Sequence, residues 1–204
     1  MLQTLFSNPL LFLIWAIGLT LAITVHEYAH AVAADRLGDP TPRSDGRLTL
    51  DPRAHLDPLG TIALLFLGFG WGRPVVFDPY NLRSPIRNSA LIAIAGPISN
   101  LLFALILSLI MKVVALPLLS AILPILIIMN ISLAIFNLVP VFPLDGEKIL
   151  AGLLPRDLAQ EYAALMRQYG TIILIFMLLP IAGGTSPISA LISPVISWVS
   201  GLLL

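Results

Sequence analysis

There is no cysteine in this chain. Disulfide frameworks, thiolate metal sites and cysteine nucleophiles are therefore excluded together. Charge is scarce as well. Asp, Glu, Lys and Arg make up 11% of the 204 residues, where a soluble domain carries about 25%. So few charges cannot cover a soluble surface, and 58% of the residues are hydrophobic. An integral membrane protein is expected. Acidic and basic residues balance, with a formal net charge of zero, so nothing electrostatic favours a nucleic-acid partner. The N-terminal "MLQTLFSNPLLFLIW" lacks the basic n-region of a signal peptide, and its apolar run continues straight into His26. A retained helix is expected there. Internal repeats and low-complexity linkers are missing too. The composition predicts an all-α polytopic bundle, one membrane-embedded unit over residues 1–204, with the lipid bilayer as its constant partner.

A spanning helix needs roughly 20 mostly apolar residues, so the length allows about four to six membrane segments. The first is predicted from about Pro9 to Leu37. Pro9 suits a first turn, and Gly38, Asp39 and Pro40 stop the helix. The loop beyond carries Arg36, Arg43, Arg47 and Arg53. The positive-inside rule puts these on the cytoplasmic side, as expected for a prokaryotic plasma (inner) membrane protein. "LGTIALLFLGFGWG" is short for a span. "RPVVFDPYNLRSPIRNS" combines prolines with alternation around Val75, Val76 and Phe77. That predicts a short re-entrant or extended hairpin near residues 71–82, a form tolerated at membrane depth only against protein or water. Two clear spans follow, "ALIAIAGPISNLLFALILSLIMKVVAL" and "LPLLSAILPILIIMNISLAIFNLVPVF". The charged stretch from Pro143 to Gly170 suits an interfacial helical segment. The last apolar run reads as one broken or two short segments, interrupted at Gly183, Gly184 and Pro187.

Polar chemistry concentrates at the end of the first predicted span, in "TVHEYAH". His26 and His30 are four apart and share one face of a helix. Two imidazoles at that spacing can bind one tetrahedral zinc. Glu27 sits beside the pair and can take a proton from water at the metal, the HExxH arrangement of metal-assisted hydrolysis. By chance HExxH arises in roughly one chain in a couple of hundred of this length. Its place in a membrane helix makes it more telling, because ionisable groups there cost about 2.5–3.5 kcal/mol each for Asp, Lys or Arg. A bound dication would satisfy all three side chains.

A catalytic zinc has three protein ligands and an open position. Asp145, in "NLVPVFPLDGEKIL", is the first acid after the fourth long apolar segment. Gly146 permits a tight turn that could present it inward. Two readings stand: a third ligand, or a cap for the helix that follows. Glu161, in "QEYAALM", is the competing acid.

HEYAH followed by "NLVPVFPLDG" resembles the site-2 protease family of intramembrane zinc metalloproteases. That family joins HExxH to an NxxPxxxLDG signature, matched here by Asn137, Pro140, Leu144, Asp145 and Gly146. "AGPISN" is similar to the family's GxxxN, with Gly96 and Asn100. "GRLTLDPRAHLDPLGT" and "GWGRPVVFDPYNL" are similar to stretches of its short bacterial members. The likeness covers about residues 15–155. It implies His26, His30 and Asp145 as ligands of one Zn2+ per chain and Glu27 as general base. It implies that Asn137 holds substrate backbone, with Asn100 serving the same end. For both asparagines a hydrogen bond between packed helices is the other reading. The implied activity is peptide-bond hydrolysis within or near transmembrane segments of single-span or polytopic substrates. The implied form is minimal, without PDZ or CBS domains or the further span that many members carry before HExxH.

A metal-containing polytopic transporter is the competing class, since polar residues in spans fit it too. His55, in the basic loop, is more simply structural than a ligand, though the similar family segment also carries a histidine.

Overall fold

The computed structural model describes residues 2–67, 70–114, 116–181 and 184–204. Helices dominate: α1 (Leu2–Ser7), α2 (Pro9–Arg36), α3 (Thr41–Ser44), α4 (Pro58–Leu67), α5 (Pro85–Val113), α6 (Pro117–Asn137), α7 (Asp145–Leu153), α8 (Arg156–Leu178) and α9 (Pro187–Leu203). Short 3-10 turns fall at Pro52–Ala54 and Pro79–Asn81. α2, α4, α5, α6 and α9 each open on a proline, where the missing N–H has no partner to lose. The Asn8 side chain accepts the Leu11 N–H at 3.0 Å and caps α2. At the other end Gly38 takes φ 107, which a Cβ would resist.

Among the described residues α2, α5 and α6 are long and apolar enough to cross a membrane, and α9 is a shorter apolar helix. The all-α polytopic membrane fold is as expected. α5 and α6 pack around Ala104, Leu107, Leu123, Ile127 and Ile131, with Ile196, Val199 and Leu203 of α9 against them. Leu13, Ile17, Leu102, Leu109 and Trp198 point outward, each at least half exposed. Lipid is the solvent that suits such a surface.

Two expectations change. The charged stretch and the apolar run after it are not separate elements. Pro155 ends α7, and α8 then continues from the amphipathic "RDLAQEYAALMRQYG" into "TIILIFML" without interruption. Gly170, at the join, packs closely on Phe142: a Cβ there would lie 2.6 Å from Phe142 Cβ. Gly183 lies outside the described residues; Gly184, with φ 82, and Pro187 mark the turn into α9.

Nor is there a hairpin at residues 71–82. The chain is extended from Trp71 to Asp78. Its β pairing, among the described residues, is one isolated antiparallel bridge between Leu56 and Gly72. Pro74 and Pro79 have no N–H to give a ladder. The segment's amides are met singly instead: Arg73 N–H by the His55 carbonyl (2.8 Å), Val75 N–H by Glu27 Oε2 (2.9 Å) and Asp78 N–H by Asp39 Oδ2 (2.7 Å).

Candidate active site

α2 carries His26, Glu27 and His30 on the face turned toward α5 and the extended segment. Both imidazoles are buried, and their Nδ1 atoms are committed. His26 Nδ1 lies 2.7 Å from Asn100 Oδ1. The Asn100 amide is already spent, donating to the Ala22 carbonyl (3.0 Å) and to Asn130 Oδ1 (2.9 Å). Its oxygen must therefore accept, so His26 Nδ1 donates. His30 Nδ1 donates to the Ile92 carbonyl at 2.8 Å. Protonation at Nδ1 leaves both Nε2 lone pairs free for a metal.

Those lone pairs converge on one atom. Asp145 Oδ2 is 3.0 Å from His26 Nε2 and 3.2 Å from His30 Nε2. It is buried and has no hydrogen-bond donor among the described residues. Three acceptors within 4.8 Å of one another repel unless a cation lies among them. Two imidazole nitrogens and a carboxylate oxygen are also a tetrahedral zinc donor set with one position open. The residues present fit the metal. The capping alternative for Asp145 does not match the geometry: α7 begins at Asp145 itself, after Leu144, with no side-chain cap bond.

Room for the histidines is made on α5. A Cβ on Gly96 would lie 2.5 Å from His30 Nε2 and 2.6 Å from His26 Cε1. Gly146 does the same for the α6–α7 turn, where a Cβ would sit 2.3 Å from the Val139 carbonyl. A helix packed this closely on two imidazoles can carry only glycine at the contact.

A cavity of about 110 Å³ lies over the donors, lined by Glu27, Pro74, Val75, Phe77, Asn137 and Lys148 among others. It adjoins a wider cleft of about 720 Å³ between the extended segment and α7–α8, bordered by Val76, Phe142, Glu147 and Arg167. Burial pushes the Glu147 carboxyl above its ordinary value, against the pull of Lys148 and Arg167. Asn137 faces the small cavity, with its Nδ2 donating to the Leu133 carbonyl at 3.0 Å. Asn100 is elsewhere: fully buried behind His26, with every contact made to protein.

Glu161 is exposed on α8 and outside the donor group. His55 is fully buried, its Nε2 2.7 Å from the Thr49 carbonyl, and it lies outside that group as well. Its own carbonyl accepts the Arg73 N–H at 2.8 Å, so it serves the extended segment. Three contributors escaped sequence reasoning. Asn130 carried a readable signal, an amide in an apolar span. Arg47 and Asp39 looked like ordinary loop charges, although the structure buries both.

A helical membrane fold with a buried His–His–Asp group beside a glutamate defines the class, that of membrane-embedded metallopeptidases. A family model described as Peptidase family M50 matches residues 112–178. The chain is 42% identical over 149 residues to "Putative zinc metalloprotease YwhC" of Bacillus subtilis (strain 168), covering 68% of each. It is 29% identical over 171 residues to "Putative zinc metalloprotease Rip2" of Mycobacterium tuberculosis (strain ATCC 25618 / H37Rv), covering 79% of this chain and 65% of that one. No solved structure matches it. The chain belongs to peptidase family M50, the site-2 protease family. Zinc is the cofactor that this membership and the donor set together imply.

Proposed function

We propose that this chain is an intramembrane peptidase of the site-2 type. It hydrolyses peptide bonds within or near the transmembrane segments of single-span or polytopic membrane proteins, and residues 1–204 act as one membrane-embedded peptidase unit. The observation that carries this reading is the convergence of His26 Nε2, His30 Nε2 and Asp145 Oδ2 at the end of a spanning helix, next to Glu27.

In this mechanism His26, His30 and Asp145 hold zinc. Bound zinc supplies Lewis acidity, which makes water a nucleophile near neutral pH and polarises a carbonyl. Glu27 takes the proton from the attacking water as the carbon–oxygen bond forms. It returns that proton to the amine as the carbon–nitrogen bond breaks. Asn100 holds the His26 tautomer rather than touching substrate. Asn137, facing the cavity, is placed to meet substrate backbone. A helical substrate hides its peptide groups in its own hydrogen bonds and must unwind first. The extended segment at residues 73–78 gives the unwound strand an edge to lie along. The arginine-rich loop around residues 36–53 sets this end of α2 toward the cytoplasm.

The deciding experiment is zinc per chain in detergent-purified protein, wild type beside Asp145→Ala and Glu161→Ala. One zinc in wild type, lost with Asp145→Ala and kept with Glu161→Ala, is expected. Glu27→Gln should keep the metal and abolish cleavage of a single-span substrate. Robust turnover by that variant would remove Glu27 as the base. A wild type free of zinc would point instead to a non-proteolytic scaffold or transport role.

A further inference from the structure

Arg47 is a surface arginine by sequence and a core one in the structure. It is 4% exposed, on the loop between α3 and the turn at Pro52–Ala54. Its Nη2 does two things at once. It donates to the Arg73 carbonyl and lies 4.0 Å from Glu27 Oε2. That same Oε2 accepts the Val75 N–H at 2.9 Å. One oxygen of Glu27 thus accepts a backbone amide, with a guanidinium nitrogen 4.0 Å away that is itself bound to the carbonyl two residues before that amide.

The rest of the extended segment is tied down by other groups. Arg73 N–H is on the His55 carbonyl at 2.8 Å. At the far end Asp39, fully buried, accepts the Asp78 N–H at 2.7 Å and Asn81 Nδ2 at 2.8 Å. Gly72 lies flat against α2: a Cβ there would be 2.6 Å from Ile23 Cγ2 and 3.9 Å from Glu27 Cγ. Both ends are fixed, and the Val75–Glu27 bond lies between them.

Burying a guanidinium is costly unless it is paired. Burial lowers the Arg47 pKa below its ordinary value, and Glu27 acts against that. Its Nε has no hydrogen-bond partner among the described residues. A residue kept at such a cost, with its Nη2 4.0 Å from the proposed base, is poorly explained as loop packing.

We propose that Arg47 is a positioning residue of the peptidase site. It sets the gap between the Glu27 carboxylate and the segment at residues 73–75, so that the carboxylate faces the cavity while the segment lies in register beside it. The proposal rests on Glu27 being the base. Arg47 touches neither the metal donors nor, on this geometry, the substrate.

The test uses zinc-loaded protein in detergent, wild type beside Arg47→Met and Arg47→Lys. Zinc per chain reports that the donor group is intact. Backbone deuterium uptake over residues 72–78 reads the segment, and cleavage of casein, a chain with little helix to unwind, reads the chemistry. Arg47→Met should keep one zinc and exchange the segment about tenfold faster, since the contact holding it is gone. Its kcat should fall about tenfold or more with KM within about twofold, the pattern of an interaction felt chiefly in the transition state. Arg47→Lys should recover part of both effects, because it keeps a positive charge and N–H donors on a flexible stem but loses the planar guanidinium that fixes where they point. Wild-type exchange and turnover in zinc-loaded Arg47→Met would overturn the proposal. Faster exchange with kcat unchanged would overturn it too, leaving Arg47 a structural tether. If Arg47→Met fails to hold zinc, the same readings on Arg47→Lys decide. If wild type cannot cut casein, the positioning role falls with the peptidase reading, and raised exchange in Arg47→Met shows that the contact itself was real.

Discussion

His26 Nδ1 stands 2.7 Å from the side-chain oxygen of Asn100, a residue on the neighbouring spanning helix. Behind it the relay continues through Asn130 to the Leu126 carbonyl, at 2.9 Å for each step. Three helices, α2, α5 and α6, are therefore needed to fix the tautomer of one imidazole.

Asn100→Leu should break that relay while leaving every proposed metal donor in place. Zinc affinity is expected to fall about 10–100-fold, the usual effect of losing a partner behind a ligating histidine. Competition with a zinc chelator measures it. Unchanged affinity would mean that packing alone orients His26.

Gly96→Ala should be more severe at the metal than its single methyl suggests. The new Cβ would meet His30 Nε2 at 2.5 Å and His26 Cε1 at 2.6 Å. Both rings must move, and the donors cannot stay together. Loss of zinc is expected, together with about 1–3 kcal/mol of destabilisation from overpacking. Metal content and thermal unfolding in detergent separate the two effects.

Asp39→Ala removes the acceptor for Thr41, Asp78 and Asn81 at one stroke. A cost of about 1–3 kcal/mol is expected for the donors left unsatisfied, and faster amide exchange at Asp78. The pH dependence follows from the same bonds. Burial raises the Asp39 pKa, but hydrogen bonds from Thr41, Asn81 and the Asp78 N–H outweigh it, and the net direction is below the ordinary 3.8. A depressed carboxylate pKa stabilises the fold above the unfolded value and loses that contribution as pH falls through the folded one. Exchange at Asp78 should thus be insensitive to Asp39 titration from pH 5 to 8, and this anchor should fail only below 3.8. Loosening near pH 6 would show that another group controls it.

Gly38→Ala places a Cβ at φ 107, with the Asn81 carbonyl 3.6 Å away. The expected cost is about 1–2 kcal/mol, arising from the backbone and not from contact. Thermal unfolding should register it while zinc content stays at wild type.

Sequence reasoning reached furthest where periodicity and chemistry coincide. His26, Glu27 and His30 sit on a 28-residue apolar helix, so spacing alone puts the imidazoles on one side. Asp145 was visible as an acid beside prolines, but only the fold shows it next to both Nε2 atoms. Local reasoning failed where burial is decided by distant chain. Arg47 and Asp39 lie among exposed loop charges such as Arg43 and Arg53, and no pattern in that loop says which are covered. The hairpin expected near residues 71–82 failed for a related reason: alternation marks extended chain, but not whether its donors meet a strand or a carboxylate. The close packing of Gly170 on Phe142 is a contact that periodicity within α8 cannot reveal.

The donor group is also divided in time. His26 and His30 leave the ribosome early, on the first long helix, and Asp145 follows only after two further spans have been made. A chain stopped before α7 carries His26 and His30 without Asp145. On the proposed reading, the three metal-binding side chains can therefore come together only once α2, α5, α6 and the start of α7 have all been made.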